Sequence, residues 1–91
     1  MLIDGMLSGT GVRDALYGGY LDPEAIGLSS RLASDIADWQ RRYEVCHFAG
    51  FPESEVASLD EQGQAILARV RAELPGRRVG YFSNGRMTRL S

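Results

Sequence analysis

Ninety-one residues, 44% hydrophobic and 24% charged, make one globular domain over residues 1–91 with a small core, and exclude a disordered chain. A single cysteine, Cys46, excludes an internal disulfide and a cysteine-rich zinc site, while the net charge of −2 selects no partner class by itself. No apolar run approaches the ~20 residues that span a bilayer, and a start with Asp4 and no early basic cluster does not read as a signal peptide, so a cytoplasmic chain with no membrane partner is expected.

Met1-Leu2-Ile3 and Met6-Leu7 read as a short strand interrupted at Asp4-Gly5. Glycines 5, 9, 11, 18 and 19 oppose a long helix here. A loop follows, with a second extended piece around Tyr20-Leu21. Gly9-Thr10-Gly11 is no phosphate loop: it lacks the third glycine of a dinucleotide fingerprint, and the chain has no lysine for a Gly-Lys-Ser/Thr motif. Asp22-Pro23-Glu24 signals a turn, with one short helical turn stopping at Gly27.

Leu28-Ser29-Ser30 opens the first helix on a serine cap, and Leu28, Leu32, Ile36, Trp39 and Tyr43 form its apolar stripe. Asp38 and Arg42 are spaced for an i,i+4 pair. Trp39 on that stripe reads as core; at an edge it would be a binding anchor. Cys46 and His47 bring a thiol and a base together in sequence, but neighbouring side chains point apart and no third group orients them. Cys46 continues the stripe, so a buried structural cysteine is the better reading. Phe48 and Phe51 are expected to pin the linker onto the core.

Val56 to Leu74 has helical periodicity: Val56, Leu59, Ile66, Leu67, Val70 and Leu74 share one face with Gly63. Ser58 and Glu61 fit a capping box, with a separate turn at 53–56 before it. Gly63 on the apolar face predicts a close crossing with a helix or a sheet. Leu74-Pro75-Gly76 stops the helix. Arg77 to Phe82 reads as a strand, Ser83-Asn84-Gly85 as a tight hairpin turn supplying positive dihedral angles, and Arg86 to Leu90 as the returning strand.

Charge is segregated along the chain. Residues 1–61 hold eleven acids against four arginines, a net of −7; residues 62–91 hold six arginines against one acid, a net of +5. Interleaving of the two halves within the fold is the preferred explanation. Otherwise two surfaces are available. Arg77, Arg78, Tyr81, Phe82, Arg86 and Arg89 combine cations with rings, the chemistry of single-stranded nucleic-acid binding, though such arginines also keep an edge strand unpaired. Asp35, Asp38, Trp39, Asp60 and Glu61 would dock on a basic partner.

Tyr20-Leu21-Asp22-Pro23-Glu24, Gly27-Leu28-Ser29, Trp39, Tyr43, Gly50-Phe51-Pro52, Gly63, Leu67 to Leu74 and Tyr81-Phe82 form a layout that resembles a loose set of small uncharacterised bacterial proteins. The likeness covers most of the chain from residue 20. It rests on caps, core stripe and helix stop, so it implies a fold and no activity. The chain departs from that set in its glycine-rich start and in the strand after Asn84-Gly85.

The expected fold is α+β: two helices on a small, mostly antiparallel sheet made of the C-terminal hairpin and an N-terminal strand. With no catalytic, metal or cofactor constellation, the expected function is a non-enzymatic protein-interaction module such as an inhibitor, immunity protein or accessory factor. Its expected partner is another protein, which includes a second copy in a homodimer. Single-stranded nucleic acid on the C-terminal arginine–aromatic surface is the alternative.

Overall fold

The structure is a computed structural model and describes every residue except Ser8. Strands β1 (Leu2–Asp4) and β2 (Val12–Arg13) are followed by helices α1 (Ser30–Phe48) and α2 (Glu53–Glu73), then strands β3 (Gly80–Ser83) and β4 (Thr88–Arg89). The strands form one sheet in the order β2-β1-β3-β4. β1 pairs parallel with β3, and the other two pairings are antiparallel. Both helices pack on one face of this sheet, which is the expected α+β architecture.

α1 begins as its sequence demands. The Ser29 hydroxyl accepts the Leu32 N–H at 3.2 Å, satisfying one of the free donors of the first turn. The same serine is tied to the far end of α2, its N–H and hydroxyl donating to the Glu73 carboxylate at 2.7 and 2.9 Å. α2, by contrast, starts six residues earlier than the Ser58–Glu61 pair predicts. Pro52 stands at its N-cap with no side-chain cap, and the Val56 N–H already bonds the Pro52 carbonyl. Ser58 therefore lies inside the helix, where backbone donors are used and a capping box has nothing to satisfy. Glu53 and Glu55 favour the early start, being acids in the positive first turn. Ser29→Ala should lower the unfolding free energy by about 1 kcal/mol and Ser58→Ala by less than about 0.5, measured by urea titration.

Ile3, Val12 and Tyr81 project from the sheet onto Leu32, Ile36, Trp39 and Tyr43 of α1 and onto Val56, Ile66, Leu67 and Val70 of α2. Trp39 is fully buried: its indole N–H donates to the Leu59 carbonyl at 2.9 Å and its ring meets Tyr43 edge-on at 5.5 Å. Gly63 marks a helix–sheet crossing, because a Cβ there would clash with the edge and the hydroxyl of the Tyr81 ring. Phe51 packs against the core, but Phe48 is exposed and pins nothing.

Two local expectations are corrected. Residues 6 and 7 are not strand; instead Val12–Arg13 pairs with β1, and Tyr20 adds a single bridge to Arg13. The return is made possible by Gly11 at φ +91°, close enough to Ile36 that a side chain would collide. The β3–β4 connection is a four-residue loop, 84–87, rather than a two-residue turn. Its positive φ, 54°, falls on Met87 and not on Asn84 or Gly85. Asn84 is instead turned inward to donate to Asp4, and Gly85 is required because a Cβ would meet Val56 at 2.7 Å.

Strand alternation puts Leu2, Asp4, Arg13, Gly80, Phe82 and Arg89 on the face away from the helices. Two arginines lie across it. The Arg13 guanidinium sits 5.0 Å from the centre of the Phe82 ring, and the Arg89 guanidinium covers Gly80 so closely that a Cβ would meet it at 2.6 Å. Their long stems shield apolar surface that no second layer covers.

Candidate functional site

The polar interior is built around Asp60, one turn before Gly63 on α2 and only 5% exposed. Its Oδ1 accepts the hydroxyls of Tyr43 at 2.7 Å and Tyr81 at 2.6 Å, and its Oδ2 accepts Ser83 at 2.6 Å. The hydroxyls pass the connection on. Gly85 N–H donates to Tyr43 Oη at 3.1 Å and Arg86 N–H to Ser83 Oγ at 3.2 Å, so the β3–β4 loop hangs on Asp60 through two relays. Arg86 closes the group from outside, with its Nε 3.4 Å from Asp60 and its Nη2 on Glu53 at 2.8 Å.

Burial pushes Tyr43 up to about 12, against the lowering effect of its Ser83 and Gly85 contacts, and pushes Tyr81 still higher, helped by Asp60. Both phenols therefore stay protonated and act as donors. Paired carboxylate and phenol groups can serve acid–base chemistry where a substrate reaches them. Here every oxygen is occupied by a partner inside the protein, and the arrangement holds the loop in place.

A second carboxylate lies at the end of β1. Asp4 is fully buried and accepts the Met6 N–H and the Asn84 amide, each at 3.2 Å. Arg13 Nε approaches its Oδ2 to 3.1 Å without the alignment of a hydrogen bond. Burial consequently outweighs the arginine and raises the Asp4 pKa above the ordinary 3.8. The folded state then holds this proton more tightly than the unfolded state, so ionising Asp4 costs stability. As pH falls through the raised pKa towards 3.8, wild type should gain stability relative to Asp4→Asn; urea titrations of both at pH values across that window check this. A difference that moved the other way would mean the Arg13 contact dominates.

The first predicted surface is divided among four places. Tyr81 is fully buried against the helices, Arg86 faces Glu53, and Phe82 lies under Arg13 beside Arg89 on the helix-free face. Arg77 and Arg78 sit at the opposite end, in the turn between α2 and β3. The second surface also loses its centre. Trp39 and Asp60 are interior, leaving Asp35, Asp38 and Glu61; Asp35 pairs with Arg69 at 2.8 Å and Asp38 with Arg41 rather than Arg42. Cys46 is buried on the α1 stripe, where burial raises its thiol, while His47 turns away to stack edge-on against Phe51 at 4.5 Å. Among the described residues no group of three His, Cys, Asp or Glu side chains is placed to hold a metal, and no helix is long and apolar enough to cross a membrane.

The surface that sequence reasoning missed lies around Leu16 and Tyr17. They are 86% and 90% exposed, the most exposed large apolar side chains described. They ride on a turn that is firmly tied. Asp14 Oδ1 accepts the N–H of Leu16 at 2.9 Å and of Tyr17 at 3.1 Å, and those bonds hold its carboxyl below the usual range. The Gly18 N–H returns to the Asp14 carbonyl and the Asp14 N–H to the Gly19 carbonyl, with both glycines at positive φ. This turn and the 76–78 turn enclose a groove of about 400 Å³ lined by Leu16, Tyr17, Leu21, Arg77 and Arg78. Arg77 and Arg78 are exposed and make no ion pair among the described residues. The signal in the sequence was Asp14-Ala15-Leu16-Tyr17-Gly18-Gly19, an aspartate turn carrying two large apolar residues where polar ones are usual.

Comparison with family models, with curated proteins and with solved structures found no match to this chain.

Proposed function

We propose that this chain is a non-enzymatic protein-interaction module, acting as an inhibitor or accessory factor, whose contact surface is the Leu16–Tyr17 end of the fold. The carrying observation is a hydrogen-bonded turn that presents two large apolar side chains to solvent beside two arginines that make no ion pair among the described residues. Tyrosine and arginine supply much of the energy of protein interfaces, and a turn ordered before binding loses little entropy on docking. A non-enzymatic role is supported by the interior: its carboxylates and phenols are buried and internally bonded and its thiol is buried, away from the groove.

Affinity capture with wild type beside Leu16→Ser/Tyr17→Ser tests the reading. A protein retained by wild type and lost from the equally folded double variant supports it. Equal retention by both proteins would place the interface elsewhere.

A further inference from the structure

We infer that the groove between the 14–17 turn and the 76–78 turn takes an acidic protein segment bearing one apolar side chain; this rests on the interaction-module reading above. The groove has two chemistries at fixed places. Leu16, Tyr17 and Leu21 border it with apolar side chains, while Arg77 and Arg78, which make no ion pair among the described residues, and the Met1 ammonium, which donates to the Arg78 carbonyl at 3.0 Å, make it cationic. Asp14, the one acid in the lining, spends its Oδ1 on two backbone N–H groups.

Both walls are held by backbone. The Arg77 N–H donates to the Leu74 carbonyl at 3.1 Å, closing the turn that follows α2, and the Gly80 N–H donates to the Met1 carbonyl at 2.9 Å. The Leu21 N–H bonds the Val12 carbonyl at 2.9 Å, fixing the segment that leaves the other wall. A partner therefore meets a preformed cleft, and arginine forks match carboxylates in geometry as well as in sign.

The occupant follows from charge and volume. About 400 Å³ admits one large side chain and its flanks, not a run of stacked bases. Leu16 and Leu21 are aliphatic and give no stacking platform, and Tyr17 is the single ring in the lining. Asp14 opposes a phosphate and a carboxylate alike, so the small volume and the single ring, and not charge, favour a segment with two carboxylates around one aliphatic or aromatic residue over a nucleic acid.

The test is titration of the full-length 15N-labelled chain with short synthetic peptides having Asp and Glu on both sides of one Phe or Leu. Parallel arms use a Lys/Arg version of the peptide and an oligothymidine. The acidic peptides should shift the amides of Leu16, Tyr17, Arg77 and Arg78, weaken with added salt, and bind Arg77→Glu/Arg78→Glu about tenfold or more less tightly. Replacing the central Phe by Ser should weaken binding as well. Shifts at these amides from the basic peptide or oligothymidine, and none from the acidic peptides, would overturn the inference. A protein lost on Leu16→Ser/Tyr17→Ser but retained by the arginine variant would also overturn it while leaving the interaction reading in place.

Discussion

Asp60→Ala is expected to lower the unfolding free energy by about 3 kcal/mol or more, the largest loss from any single side chain outside the apolar core. The carboxylate accepts three hydroxyls and stands beside Arg86, in a site only 5% exposed. Removing it leaves Tyr43, Tyr81 and Ser83 as buried donors without acceptors, each of which costs roughly 1–3 kcal/mol when unmet. Tyr81→Phe removes one donor and leaves Asp60 its other partners, so it should cost about 1–2 kcal/mol, and Tyr43→Phe somewhat more, because the Gly85 N–H also loses its acceptor. Buried charge is not itself a source of stability, since apolar replacement of a whole network is often neutral. Accordingly, Tyr43→Phe/Tyr81→Phe added to Asp60→Leu should recover part of the loss. Urea unfolding followed through Trp39 fluorescence measures all of these, and an Asp60→Ala cost below about 1 kcal/mol would show the network to be incidental.

Gly63→Ala should cost about 2 kcal/mol or more, although alanine is the better helix former by roughly 1 kcal/mol. The added methyl would clash with the edge of the Tyr81 ring, whose hydroxyl is anchored on Asp60 one turn away. The ring cannot step aside without breaking that bond or moving β3, and closely packed interiors absorb such an insertion poorly. In a Tyr81→Leu background the same substitution should be far milder, because the smaller side chain leaves room and has no hydroxyl to hold. A double-mutant cycle by urea titration reads the coupling directly. A stabilising Gly63→Ala in the wild-type background would mean helix propensity outweighs the crossing.

Both effects meet at one place, and the sequence showed only half of it. The stripe through Leu59, Gly63, Ile66, Leu67 and Val70 identified α2, its buried face and the close crossing at Gly63, because helical periodicity is local. Asp60 was read as a surface acid for the same reason. Nothing nearby in sequence reveals that Tyr43, Tyr81 and Ser83, some 17 to 23 residues away, converge on it. Trp39 followed its stripe into the core. Ser58–Glu61 has capping-box spacing, yet Pro52 starts the helix earlier, and spacing carries no information on which N–H groups are free. Asn84-Gly85 has hairpin composition, but Asn84 bonds Asp4 on a strand 80 residues distant, and the turn lengthens to suit. Arg77 and Arg78 were recognised as available cations; that Leu16 and Tyr17 face them across a groove depends on β1 lying parallel to β3.

The most direct measurement is the unfolding free energy of Leu16→Ser/Tyr17→Ser beside that of wild type. Side chains kept at the surface for a partner contribute little to folding, so the double variant should unfold within about 0.5 kcal/mol of wild type with an unchanged m-value. A loss of about 2 kcal/mol or more would contradict this, because it would make Leu16 and Tyr17 part of the fold's own packing rather than a surface held ready for another protein.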